Sequence, residues 1–157
     1  MTEAVTQLAA AGRPIEVRET SRRHTYDRQI RFADIDAHGH VNNARFVEYL
    51  EDARIALYLD YAGALQEDRG GLPSVGMVVV RHEVDYRRPL EFGRRSVRIE
   101  SWVTKVSWAS CELAAEIRSD EGVHIEARST IAAVDQDTAK PRRFTVSERA
   151  FLERYLH

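Results

Sequence analysis

Cysteine is nearly missing from this chain: Cys111 is the only one in 157 residues. A lone thiol cannot form an intramolecular disulfide and excludes any multi-cysteine zinc site, so a reducing cytoplasm is the expected compartment. Long apolar runs are missing too. Stretches such as Met77 to Val80 fall far short of the ~20 residues that cross a bilayer. The start, MTEAVTQLAAAGRP, has no basic n-region and no long apolar h-region, so no secretory signal is expected. A dominant charge is also absent. The formal net charge is -2, which removes any global case for nucleic acid. There is no internal repeat and no low-complexity linker, and the length suits one compact domain with its own core.

What is present falls into periodic segments. Residues Met1 to Arg23 are polar and weakly periodic, with a Gly-Arg-Pro break at Gly12 to Pro14; a mobile arm is expected there. Tyr26 to Phe32 reads as a strand with Tyr26, Arg28, Ile30 and Phe32 on one face. A helix follows, capped by Asn42 or Asn43. Phe46, Leu50, Ala53, Leu57 and Tyr61 recur at spacings of three and four, the apolar stripe of a helix. Val47, Arg54 and Tyr58 widen that face, and Gly63 is its natural stop. After a turn at Gly70, Gly71 and Pro73 the period becomes two. Val78, Val80, His82, Val84 and Tyr86 are expected on one face of a strand over Val75 to Tyr86. Three more alternating runs follow, around Val97 to Val103, Cys111 to Ile117 and Val123 to Ala133, joined by short turns. Ser147 to Leu156 reads as a short helix capped by Ser147. One antiparallel sheet with one face covered by the long helix, an α+β class, follows from this order.

Chemistry concentrates in DIDAHGHVNN, Asp34 to Asn43. Two carboxylates, two imidazoles and two carboxamides lie between a strand end and a helix start. The helix start offers unpaired N–H donors and partial positive charge. A carbonyl held there would be polarised and its oxyanion stabilised, while a nearby carboxylate attacks or activates water. Each residue also has a structural reading. Asp34 suits a cap or turn former better than Asp36 does. His38 and His40 can be polar loop residues, and Asn42 and Asn43 can be caps. Two histidines two residues apart suggest a metal only with a third ligand, and none stands at credible spacing, so no metal is expected. Arg87, Arg88, Arg94, Arg95 and Arg98 form one basic cluster and Lys140, Arg142 and Arg143 another. These suit either a solvated surface or a phosphate site.

RFADIDAHGHVNNARFVEYLEDAR resembles the signature of the 4-hydroxybenzoyl-CoA thioesterase-like branch of the hotdog proteins. Its Asp-x-Asp-x-x-Gly loop corresponds to Asp34, Asp36 and Gly39, and its aromatic-rich helix to Phe46, Tyr49 and Glu51 to Arg54. VDYRRPLEFG, Val84 to Gly93, and KVSWASCELAAEI, Lys105 to Ile117, are similar to later motifs of that branch, so the resemblance covers about Tyr26 to Val134. It implies a hotdog fold, an antiparallel five-stranded sheet wrapped around one long central helix, as a single domain over residues 24–157. It implies hydrolysis of an acyl-CoA thioester without metal or redox cofactor. Asp36 would be the nucleophile or general base, and the Asn43 N–H would face the thioester oxygen. It implies a homodimer or homotetramer with sites at subunit interfaces. Coenzyme A would lie near Arg87, Arg88 and the turn of Ser107, Trp108 and Ser110.

DAHGHVNN is also similar to the Asp-x-Asn-x-His-x-Asn-Asn loop of acyl-acyl-carrier-protein thioesterases. His40 matches that family's histidine, which makes it a candidate for orienting water or the carboxylate. His38 departs from it, standing where that family has Asn. His38, Val41 and Asn42 are expected to contact substrate. Glu48 and Glu51 are helix carboxylates that another hotdog branch would use, although an ion pair of Glu51 with Arg54 is the simpler reading. Three functions stay open: an acyl-CoA hydrolase, an acyl-carrier hydrolase, and an acyl-binding protein without turnover.

Overall fold

The computed structural model describes residues 22–64, 76–93 and 96–157. The expected N-terminal arm, the Gly70–Pro73 turn and Arg94 and Arg95 therefore lie outside the described residues, apart from the arm's last two positions. Strand β1 (His24–Gln29) and a 3-10 turn (Phe32–Asp34) lead into helix α1 (Asn43–Ala64). Strands β2 (Met77–Tyr86), β3 (Ser96–Val106), β4 (Ser110–Ser119) and β5 (Gly122–Ala133) follow, then helix α2 (Val146–Glu153). The sheet order is β1-β3-β4-β5-β2, antiparallel throughout. β1 and β2 thus occupy opposite edges although they are consecutive strands. The chain between them has to cross the sheet, and α1 makes that crossing. This is the hotdog arrangement expected from the sequence.

The helical stripe is buried as expected: Phe46, Leu50, Ala53, Leu57 and Tyr61 are all in the core, joined by Tyr49. The first half of α1 packs on Val97, Ile99, Ile117, Ile125 and Ala127. The second half packs on Val103, Leu113 and Ile131, where Phe151, Leu152 and Tyr155 close the far end of the core. The alternation read along β3 to β5 reproduces these inward positions.

Three expectations change. β1 ends at Gln29 and the chain turns into the 3-10 segment, so Phe32 is 80% exposed rather than on the strand's inner face. In β2 a bulge falls between Val79 and Arg81. One extra residue reverses the parity of a strand. Met77 and Val79 therefore face the core before the bulge, and Val84 after it. Val78 and Val80 point away, at 43% and 60% exposure, and do not share a face with His82, Val84 and Tyr86. At α2 the cap is Thr145, one residue before the helix: its side chain accepts from the Glu148 N–H while Glu148 accepts from the Thr145 N–H. Ser147 lies inside the helix and meets Tyr61 instead, at 3.1 Å.

Candidate active site

The loop before α1 is a small hairpin. Ile35 bridges Val41, the Asp36 N–H donates to His40 O at 2.9 Å, and the Gly39 N–H donates to Asp36 O at 3.0 Å. Three residues, 37–39, make the reversal, and the third must be left-handed; Gly39 has φ 79, which glycine adopts without a side-chain clash. The Asp36 carboxylate stiffens the turn, its Oδ1 accepting from the His38 N–H at 2.8 Å. Its second oxygen accepts no hydrogen bond among the described residues. The hairpin is held in place from outside. The Val41 N–H donates to Leu90 O at 2.8 Å, the Phe92 N–H donates to Gly39 O at 3.1 Å, and His40 bridges Glu91.

Asp34 is the structural carboxylate. It is buried, and it accepts from the Arg31 backbone N–H at 3.0 Å, from Arg31 Nη2 at 2.8 Å and from the Tyr49 hydroxyl at 2.7 Å. Burial alone would raise its pKa; the hydrogen bonds from Arg31 and Tyr49 and the Arg31 charge outweigh it and lower the carboxyl to about 2. Asp34 O also accepts from the Asn42 N–H at 2.9 Å, so this residue anchors the helix start. Asn42 caps α1, its Oδ1 accepting from the Ala44 N–H at 2.9 Å. The Asn43 N–H, first in the helix, has no acceptor among the described residues.

These parts meet at a cavity of about 330 Å³. Asp36, His38, His40, Val41 and Asn43 line it from the loop and helix start, and Arg87 and Arg88 from beyond β2, with Phe46, Tyr86 and Pro89 completing the wall. The structure thus brings together seven of the residues expected from the sequence. Asn42 is beside the cavity and spends its side chain on the cap. Ser107, Trp108 and Ser110 lie elsewhere in the chain. They form the β3–β4 turn, where Trp108 O accepts from the Phe144 N–H and Arg143 sits 5.7 Å from the indole centroid. Within one chain that turn is at the opposite end of β4 from the cavity, roughly 30 Å along the strand. Glu51 pairs with Arg54 at 3.4 Å and Glu48 with Arg45 at 2.5 Å, the ion-pair reading of both. Arg87 is engaged by Glu126 at 2.7 Å, and Arg88 donates to Glu121 O.

A larger groove of about 490 Å³ lies on the other face of the sheet, between Trp102, Glu116, Glu126 and Arg128. Its lining comes from the sheet strands and from Arg87, which follows β2, and none of the described residues lining it belongs to a helix start. Among the described residues no group of three His, Cys, Asp or Glu side chains is placed to hold a metal, and no helix is long and apolar enough to cross a membrane. Two features of the site escaped the sequence. Tyr86 donates its hydroxyl to Asn43 O at 3.1 Å. His124 is fully buried behind Pro89; strand alternation placed it opposite Val123 and Ile125 and gave no sign of the segment that covers it.

Sheet order and crossing helix define the hotdog class of protein. Within that class the chain belongs to the Thioesterase-like superfamily, whose family model matches residues 30–151; thioester hydrolysis is the class of activity this membership carries. YneP of Bacillus subtilis (strain 168), a proposed acyl-CoA thioesterase, is 28% identical over 119 residues, covering 74% of this chain and 83% of its own. A predicted thioesterase from Bacillus stearothermophilus superposes with TM-score 0.75 at 23% identity, over 87% of this chain and 98% of that one. A thioesterase from Thermus thermophilus, crystallised with coenzyme A and Zn, superposes with TM-score 0.70 at 24% identity, over 82% and 90%. At these identities the two structures speak for the fold.

Proposed function

We propose that this chain hydrolyses an acyl-coenzyme A thioester to the free acid and coenzyme A. The observation that carries the reading is the pairing, across one cavity, of the Asp36 carboxylate with the acceptor-free Asn43 N–H. The thioester carbonyl lies against the Asn43 N–H, where the helix start favours negative charge on oxygen. Asp36 either takes a proton from water as it attacks the acyl carbon or attacks that carbon itself; in both routes the carbon–sulfur bond breaks and sulfur leaves as thiolate, to be protonated, and in the second route water then cleaves the acyl–Asp36 anhydride to free the acid and restore the carboxylate. His40 orients the water, and His38 and Val41 border the bound thioester. Arg87 and Arg88 offer guanidinium groups to the coenzyme A phosphates.

A homodimer or homotetramer completes the site in this reading. β2 is an edge strand with Val78 and Val80 exposed, a surface suited to pairing with a second copy. The 107–110 turn reaches a cavity only from such a copy. The lone Cys111 is buried and suits a reducing compartment, and the cytoplasm is where we place the enzyme.

The test is a panel of acyl-CoA esters assayed with a thiol reagent, run beside acyl-carrier-protein substrates. Turnover of at least one CoA ester is expected, with Asp36→Asn losing it while melting like the parent. Cleavage of carrier substrates alone would transfer the reading to that class. Binding without turnover of either would replace it with an acyl-binding role, and full activity in Asp36→Asn would remove the carboxylate from the mechanism.

A further inference from the structure

We infer that His124 is a positioning residue of this site, whose ring clamps the Pro89 carbonyl and so fixes the 87–92 segment that walls the cavity and holds the 36–43 loop. Its catalytic consequence rests on the thioesterase reading above; the clamp itself does not.

His124 has no solvent exposure, so both ring nitrogens need partners. Nδ1 is 2.9 Å from Pro89 O and Nε2 is 2.7 Å from Ser119 Oγ. A carbonyl only accepts, so Nδ1 must carry a proton, and in the tautomer with that single proton Nε2 accepts from the Ser119 hydroxyl. Ser119 Oγ in turn accepts from the Glu121 N–H at 3.1 Å. The donors therefore run one way, from the β4–β5 turn through Ser119 and His124 to Pro89. The backbone adds to this: His124 O accepts from the Arg87 N–H at 2.8 Å and from the Arg88 N–H at 3.2 Å.

The clamped segment reaches the reactive loop directly. Leu90 O receives the Val41 N–H and Gly39 O receives the Phe92 N–H, and Glu91 bridges His40. Proline has no N–H of its own with which to hold position at residue 89, so the carbonyl contact is how the ring grips that point. A displacement of the 87–92 segment would carry the backbone of residues 39–41 with it, and with that the Asp36 turn. His124 touches no part of the cavity's contents; it acts through Pro89.

The ring state can be read on the unaltered protein by long-range proton–nitrogen NMR of the histidine side chains. Nδ1 protonated with Nε2 accepting is expected, and the opposite tautomer overturns the clamp. Two variants then separate positioning from simple packing. His124→Leu fills the space without a donor, and His124→Asn sets an amide N–H near the Nδ1 position. His124→Leu should lower kcat by about 10- to 100-fold, as misplaced catalytic groups do, with a smaller change in KM and faster amide exchange at Val41 and Phe92. His124→Asn should recover most of the loss. Equal losses in both variants, or an undiminished kcat in His124→Leu, overturn the proposal. Should His124→Leu not fold, Ser119→Ala removes only the donor to Nε2. It should leave the proton on Nδ1, where the Pro89 carbonyl holds it, and loosen exchange at Val41 and Phe92; a proton moved to Nε2, or unmoved exchange, rejects the clamp. If the parent cleaves no thioester, the functional reading fails, and the tautomer and exchange measurements still decide the clamp.

Discussion

Asp34→Asn is the sharpest test of how the 36–43 loop is supported. The native carboxylate side chain has no solvent exposure and is held at about 2 against an ordinary 3.8, because hydrogen bonds from Arg31 and Tyr49 and the Arg31 charge outweigh burial. A folded-state value below the unfolded one means that the unfolded chain binds more protons at this site. The stabilisation is therefore fully present above about pH 4 and is lost as pH falls toward 2. The shift is worth about 2 kcal/mol. Arg31 is 53% exposed, and solvent screening of that partner trims the value to roughly 1–2 kcal/mol. Substitution costs somewhat more than the titration does, because an amide cannot accept from every donor the carboxylate serves, and a loss of about 2–4 kcal/mol at pH 7 is expected. Urea unfolding of parent and variant at pH 7, 5, 3.5 and 2.5 measures it. The gap between the two should be widest at neutral pH and should narrow below about pH 3.5 as the native carboxyl takes up its proton. A gap that does not move with pH, or one below ~0.5 kcal/mol at pH 7, would refute the assignment of Asp34 as the charged anchor.

Gly76→Ala should destabilise far more than Gly39→Ala. A Cβ at Gly76 would stand 2.5 Å from Val134 O, whereas nothing lies within 4 Å of one at Gly39. Thermal melts should show about 1 kcal/mol for Gly39, the cost of a left-handed backbone alone, and at least twice that for Gly76. Asn42→Ala removes the α1 cap and Thr145→Ala the α2 cap; each should cost ~1 kcal/mol in chemical denaturation, and Asn42→Ala should also slow turnover because the Asn43 N–H then sits on a frayed helix end. Light scattering should give a particle heavier than the 18.0 kDa chain, and a clean monomer at working concentration would separate the 107–110 turn from the site.

Much of the site was legible because it is contiguous. Asp36 to Asn43 is one hairpin and one helix start, and both are local structures governed by Gly39, by a cap and by the apolar stripe that follows. The structural reading of Asp34 also came through: it is buried beneath Arg31 and Tyr49, while Asp36 lines the cavity. Arg87 and Arg88 were found as charges, and only the β2–β5 pairing explains why they border the same cavity. His124 was invisible because its partners Arg87, Arg88 and Pro89 lie more than thirty positions away in the chain. The bulge between Val79 and Arg81 was equally hidden: a two-residue period says which side chains alternate, and says nothing about where an extra residue is inserted.

By itself, then, the sequence determined the class of fold and the local shape of the 34–43 loop. Periodic burial specifies strands and helix, and a helix start brings its own unpaired donors wherever it lies. Only the tertiary structure decided which side of β2 faces the core, which residues close the cavity, and what holds the loop still. Those are set by hydrogen bonds between distant segments, such as Val41 to Leu90 and His124 to Pro89, and a contact of that kind leaves no period in the chain for a reader to find.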